Sequence, residues 1–190
     1  MGKNRILGIL GSPRHNGNTA TLLSRILESA SAYGAETEYI SLGDMNIREC
    51  DGCHACWRVF ECAKHDDMNN VYPIIENSDV IVFGTPVYWY GPTALMKALI
   101  DRMVYFNCPE TRKKIAGKRA VLVVPFEESD RKTAAPTVAM FELSLGYLGI
   151  PLIETLIVPG VTRRGEVRDR PEFMERAEAI GEQLARLQLQ

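Results

Sequence analysis

Cys50, Cys53, Cys56 and Cys62 fall within thirteen residues, in the stretch Cys-Asp-Gly-Cys-His-Ala-Cys-Trp-Arg-Val-Phe-Glu-Cys. Three thiols at successive x2 spacings converge when the backbone turns tightly, and a fourth arriving after x5 completes a four-sulfur shell. Tetrahedral zinc and iron–sulfur clusters both take that ligation, and the spacing leaves the two open. The plainer alternative is that these are small buried hydrophobes or thiols with no ligand. Disulfides fit poorly, because the sequence opens without a signal-peptide pattern and the fifth cysteine, Cys108, would be left over. Cys108 itself, just after a helical stretch, reads as packing.

A second constellation is Gly11-Ser12-Pro13-Arg14-His15-Asn16-Gly17-Asn18-Thr19, a polar loop between an apolar run and a helical pattern. Backbone N–H groups of such a loop and the positive end of the helix satisfy an anion, with Ser12, Asn18 and Thr19 as side-chain donors and Arg14 as a charge. It is neither a Walker loop nor G-x-G-x-x-G. The bland alternative is a glycine-rich turn capped by Asn18 or Thr19. A third constellation is Pro86-Val87-Tyr88-Trp89-Tyr90-Gly91-Pro92. A flat, apolar-faced, polar-edged ring needs backbone amides at its edge and aromatic surface at its face, and this segment offers both. The same aromatics could equally fill core or a subunit interface.

These loops need a scaffold, and the hydrophobic pattern supplies one. Strands are expected at Arg5–Leu10, Glu36–Ser41, Asp79–Gly84, Arg119–Pro125 and Leu152–Val158. Helices are expected over Thr19–Tyr33, about Asn69–Asn77, about Thr93–Phe106, about Ala134–Leu148 and Pro171–Leu187, with an open cysteine-bearing loop at about 44–67. Strands alternating with helices indicate a parallel sheet covered on both faces, and Val80–Phe83 and Ala120–Val124 are continuously apolar as buried parallel strands must be. The reading is one doubly wound α/β domain of five strands over residues 1–190, with ligands outside the carboxyl ends of the strands.

Composition narrows the function class. A chain 46% hydrophobic and 24% charged with net charge −2 has no nucleic-acid footprint. No stretch approaches the ~20 apolar residues of a membrane span, and the run Ile6–Leu10 is too short for a signal peptide. A cytoplasmic, reducing compartment is expected. His15, His54 and His65 stand at no metal-ligand spacing. Asp66 and Asp67 read as caps of the following helix, and Asp101 with Arg102 as a structural pair or as helix-face charges.

Gly-Ser-Pro-Arg followed by Gly-Asn-Thr after the first strand is similar to the FMN phosphate loop of flavodoxin-like NAD(P)H-dependent FMN reductases. Pro86 to Pro92, running into Leu95–Arg102, resembles that family's second flavin loop and the helix behind it. The cysteine run followed by Asp66-Asp67-Met68 matches the x2, x2, x5 motif of the iron–sulfur flavoproteins within the family. The resemblance implies a flavodoxin-like sheet of order 2-1-3-4-5. It implies FMN held by Ser12, Arg14, Gly17, Asn18 and Thr19, and bordered by Pro86, Val87, Tyr88, Trp89, Tyr90 and Gly91. A [4Fe-4S] cluster would sit at Cys50, Cys53, Cys56 and Cys62, near the sheet's active edge. Implied partners are small-molecule or protein electron donors and acceptors, NAD(P)H among them, and a second copy in a homodimer or homotetramer. Two rivals differ in kind: an FMN-only NAD(P)H-dependent reductase of quinones, nitroaromatics or flavin, and a zinc-stapled, non-enzymatic binding module. One segment departs from the family. Where many relatives carry a small, glycine-containing loop after the fourth strand, this chain has Pro125-Phe126-Glu127-Glu128-Ser129-Asp130-Arg131-Lys132. Either that acidic loop turns away from the flavin, or the donor is not NAD(P)H.

Overall fold

Alternation along β1 (Arg5–Leu10) divides the interior. Ile6 and Leu10 point to one face of the sheet and Leu7 and Ile9 to the other, and each set belongs to its own buried cluster. The first cluster lies under α1 (Asn18–Ala32) and α7 (Pro171–Ala185), the second under α3 (Met68–Asn77), α4 (Ala94–Arg102) and α6 (Ala135–Tyr147). With both faces covered, β3 (Val80–Gly84) and β4 (Arg119–Pro125) read as unbroken apolar runs, whereas the edge strand β2 (Glu36–Ser41) leaves its first four residues exposed. β5 (Leu152–Val158) closes the other edge, and all pairings are parallel in the order β2-β1-β3-β4-β5. This computed structural model describes residues 3–188 and has the expected flavodoxin-like topology. α1 and α7 lie so close that a Cβ on Gly181 would fall within 3 Å of backbone atoms of Ile26 and Ala30.

Three helical expectations change. The helix expected over Thr93–Phe106 ends at Arg102 and tightens to a 3₁₀ turn over Met103–Asn107, because the Tyr72 hydroxyl takes the Arg102 carbonyl at 3.2 Å. The last helix stops at Ala185, where Asn4 Nδ2 draws off the carbonyls of Leu184 (2.9 Å) and Leu187 (2.8 Å). The segment expected to be an open cysteine loop contains a 3₁₀ turn, Leu42–Asp44, and a single helical turn, α2 (Ala55–Arg58). A further short helix, α5 (Pro109–Arg112), follows Cys108, which is fully buried as expected. Among the described residues no helix is long and apolar enough to cross a membrane.

Candidate functional site

Parallel register carries the loops that follow β1, β3, β4 and β5 to one edge of the sheet, since Leu10 pairs with Gly84, Gly84 with Val123, and Pro125 with Val158. The order reverses between β1 and β3, which is where doubly wound folds bind ligands. A cleft of about 260 Å³ opens there, lined by Ser12, Arg14, Gly17, Asn18 and Thr19 from the first loop and by Pro86, Val87 and Tyr88 from the second. Two of the three sequence constellations therefore meet in one site.

The first loop is tightly curled and leaves donors free. Buried Ser12 accepts the Arg14 N–H at 3.2 Å, and the Gly17 N–H donates to the Arg14 carbonyl at 3.1 Å, curling the loop. A Cβ on Gly17 would stand 3.2 Å from both Arg14 Cβ and the Arg14 carbonyl oxygen, so the curl is tight. Gly17 also starts α1 without a side-chain cap, contrary to the capped-turn alternative, and the first amides of the helix remain free to meet a ligand. Asn18 lines the cleft but spends its side chain elsewhere. Its Nδ2 donates to the Arg163 carbonyl at 3.0 Å and its Oδ1 accepts the Val167 N–H at 3.1 Å, tying down the loop after β5. What Asn18 offers a ligand is its backbone N–H.

The second loop divides in two. Tyr88 and Gly91 exchange both backbone hydrogen bonds, at 2.8 and 3.0 Å, closing a two-residue hairpin over Trp89 and Tyr90. Both tip residues have positive φ, 49° and 63°, in a turn normally made by Asn-Gly. Trp89 is 96% exposed and Tyr90 60%, so neither fills the core, and Trp89, Tyr90 and Gly91 stand outside the cleft wall that Tyr88 completes. The Thr137 hydroxyl donates to the Tyr90 carbonyl at 3.1 Å and pins the hairpin to α6.

Sequence reasoning missed how the two loops are joined. Thr93 caps α4, accepting the Met96 N–H at 3.2 Å; its own N–H donates to Thr85 Oγ1 at 3.1 Å, and its hydroxyl donates to the Gly11 carbonyl. A threonine just before Ala-Leu-Met is a cap signal that was there to be read. At Gly11 a Cβ would stand 2.8 Å from Met96 Cβ and 3.2 Å from the Gly84 oxygen, so only glycine lets α4 approach the strand ends. Also missed were Val161, Thr162 and Arg164, which line the cleft from the loop after β5. The acidic segment after β4 does not turn wholly away. Pro125, Phe126 and Glu127 line the cleft, while the Glu128 carbonyl accepts the Gly160 N–H at 3.0 Å and Asp130 caps the 3₁₀ turn Arg131–Ala134.

The third constellation forms its own site. Cys50, Cys53, Cys56 and Cys62 all line one cavity of about 50 Å³, walled by Tyr72, Arg102, Val104 and Tyr105. The expectation of thiols beside the sheet's active edge is corrected here. The cavity shares no lining residue with the cleft, and it lies against the C-terminal end of α4, whose Thr93 end touches the loop after β1. The nine residues of α4 span ~13 Å at 1.5 Å rise per residue.

Arg102 is the anchor. It is 1% exposed and does not pair with Asp101, which instead meets Lys97 at 2.6 Å on the helix surface. Its guanidinium grips Asp66 bidentately at 2.7 and 3.1 Å, donates to the Arg48 carbonyl at 2.9 Å and reaches Cys62 Sγ at 3.3 Å. Asp66 therefore does more than cap. It accepts the Met68 N–H at 3.2 Å as expected, but also the Arg48 N–H at 3.0 Å, while Asp67 accepts the Asn46 N–H at 2.7 Å. Burial opposes the Asp66 charge, yet the bonds from Arg102, Arg48 and Met68 outweigh it and hold the carboxyl below its ordinary pKa.

Four thiols lining one cavity are a donor set that suits a metal centre. Burial pushes the Cys56 thiol up, and negative charge at Cys62 and Cys50 adds to this, so the thiols need a shared cation to ionise together. Among the described residues no three Cys, His, Asp or Glu side chains are grouped to hold a metal ion. The cavity that the four cysteines line is several times what one water needs.

A family model described as NADPH-dependent FMN reductase matches residues 4–154. An iron-sulfur flavoprotein of Archaeoglobus fulgidus is 36% identical over 118 residues, 62% of this chain and 54% of that one, so the match spans about half of that relative's length. A second iron-sulfur flavoprotein of the same organism is 31% identical over 164 residues, 86% of this chain and 81% of that one. Among solved structures, a flavone reductase superposes with TM-score 0.75 at 20% identity, over 96% of this chain and 62% of its own, a likeness of fold. Taken with the cleft at the β1–β3 switch point, these matches establish that the chain belongs to the NADPH-dependent FMN reductase family of flavin oxidoreductases.

Proposed function

We propose that this chain is an FMN-dependent electron-transfer oxidoreductase that also carries a [4Fe-4S] cluster on Cys50, Cys53, Cys56 and Cys62. The observation that carries the reading is that four cysteines line one cavity, with the buried Arg102 guanidinium against the sulfur of one of them. The name iron-sulfur flavoprotein, borne by relatives with matching segments, supports it.

When bound, FMN exchanges one or two electrons and a cluster exchanges one, so together they join a two-electron partner to a one-electron chain. The protein's part is placement. The amides at the start of α1, with Ser12, Thr19 and Arg14, hold the phosphate; Pro86, Val87 and Tyr88 border the ring and keep water from one side of it. α4 fixes the two sites at a set separation, because its cap is bonded to the phosphate loop and its last residue to the cysteine loop. Electron donor and acceptor, small molecule or protein, belong to the same proposal, as does assembly into a homodimer or homotetramer. Exposed Leu143 and Tyr147 on α6 support assembly. NAD(P)H is the donor the family's name suggests, and Glu127 on the cleft wall would weigh against its phosphates.

Reconstitution with iron and sulfide under anaerobic conditions, followed by metal and sulfide analysis, is the test. Four irons per chain are expected, lost in Cys50→Ser, Cys53→Ser, Cys56→Ser and Cys62→Ser but kept in Cys108→Ser, with FMN retained in all five. A protein that takes up no iron yet turns over with NAD(P)H is an FMN-only reductase; one that holds a single zinc and no flavin is a stapled binding module.

A further inference from the structure

We infer that Arg102 is a positioning residue for the centre held by the cysteines. Its Nη2–H bond to Cys62 Sγ orients that thiolate and raises the potential at which the cluster takes up its electron. The inference rests on the cluster reading above and goes beyond it, because the four-cysteine motif assigns no role to any residue of α4.

The geometry points to a fixed donor. Arg102 is 1% exposed and held by the Asp66 carboxylate at 2.7 and 3.1 Å and the Arg48 carbonyl at 2.9 Å. Asp66 has no exposed side-chain surface and is itself held by two backbone amides. A guanidinium held by three hydrogen bonds to two partners keeps its Nη2 fixed 3.3 Å from Cys62 Sγ. Its Nε is buried with no hydrogen-bond partner among the described residues, leaving one more donor beside the cavity that Arg102 lines.

A hydrogen bond aimed at a cluster sulfur strengthens as that sulfur gains electron density, so it stabilises the reduced form more than the oxidised one. Burial keeps the local dielectric low and the preference large. The process is a one-electron reduction with an external reductant such as dithionite, with no bond made or broken and no proton required. The same braced guanidinium spans the cysteine loop, from Arg48 before Cys50 to Asp66 after Cys62, so it sets the thiolate's position as well as its charge environment.

The test compares reconstituted unmutated protein with Arg102→Lys and with the double variant Arg102→Met, Asp66→Asn. The double variant removes the cation together with its counter-charge, so the net charge near the cluster is unchanged and no carboxylate is left buried and unpaired. Iron and sulfide are counted, and the cluster is titrated with dithionite by electron paramagnetic resonance while the flavin is followed optically in the same sample. In the double variant the reduction equilibrium should fall about tenfold, ~59 mV for one electron. Arg102→Lys should fall by less, and the flavin potential and an Asp101→Asn control should not move. A folded, FMN-loaded variant that cannot take up iron would also bear out the positioning role. Iron-loaded variants that both titrate at the unmutated potential would overturn the inference. Absence of iron from the unmutated protein would overturn the cluster reading instead.

Discussion

Replacing Trp89-Tyr90 with Asn-Gly is expected to stabilise the flavin-free protein and, because neither residue lines the cleft, to leave its hold on FMN unchanged. A positive φ costs an L-residue with a bulky side chain ~1–2 kcal/mol, little for Asn and nothing for Gly. The two tip residues, at φ 49° and 63°, therefore store roughly 2–4 kcal/mol between them. Against this, Trp89 is 96% exposed and forfeits almost no packing, whereas Tyr90, 60% exposed, forfeits about 1 kcal/mol. The bond from Thr137 goes to the Tyr90 backbone carbonyl and survives the change. The net gain is about 1–3 kcal/mol, or ~2–12 °C in Tm for a domain of this size. Thermal unfolding of FMN-stripped protein measures the gain, and fluorescence titration with FMN checks the affinity. A lower Tm in the flavin-free variant would refute the strain argument. A higher Tm with weakened FMN affinity would leave the strain argument standing and bring the hairpin tip into the flavin's surroundings.

Two further outcomes follow from the loops. Ser12→Ala, Arg14→Ala and Thr19→Ala combined should weaken FMN by at least two orders of magnitude, since each charge-assisted bond lost is worth ~1.5–3 kcal/mol; isothermal titration checks it, and full affinity in a folded triple variant would count against the phosphate site. Because the Asp66 carboxyl is held below its ordinary pKa, the stability it contributes is present above its unfolded value of ~3.9 and is lost as pH falls through the folded one. Asp66→Asn should therefore cost about 3–5 kcal/mol at pH 7 by leaving Arg102 buried and unpaired, and the gap to the unmutated protein should narrow below pH 4 in urea titrations; a pH-independent gap would contradict the pairing.

What could be read from the sequence, and what could not, divides by the range of the interactions involved. Strands such as Val80–Phe83 announce themselves because burial on both faces demands an apolar side chain at every position. The cleft-lining loop after β1 is legible because its polar residues and the helix that follows are neighbours in the chain. Arg102 was not, since nothing near it marks it as other than a helix-face charge; its partners are Arg48, Cys62 and Asp66, at least 36 residues away. The same limit hid the real use of Asn18, whose amide is spent 143 to 149 residues further on. It also hides that the cysteines, expected near the sheet's active edge, rest against the far end of α4, because a loop's point of departure from the sheet says little about where its middle comes to rest.

Local rules fail in this chain at particular places. Among the described residues, the non-glycine positions with positive φ are His54, Phe60, Trp89 and Tyr90. Two lie within the cysteine run and two form the tip of the flavin-side hairpin, and the helices and strands of the scaffold contain none. Aromatic side chains gain nothing from that conformation, and glycine or asparagine would adopt it at lower energy. Strain of this kind persists where surrounding structure over-determines it, and here the surroundings are identifiable: the Tyr88–Gly91 hydrogen-bond pair and Thr137 for one loop, and the Arg102–Asp66 brace for the other. The two braces differ in kind. The hairpin is fixed by backbone bonds that any side chain tolerates, so its sequence is free to vary with what it must contact. The cysteine loop hangs on one buried ion pair, which no single substitution leaves balanced. The tip of the hairpin should therefore tolerate substitution, while the geometry of the four cysteines should hold only as long as Arg102 and Asp66 are kept or replaced together.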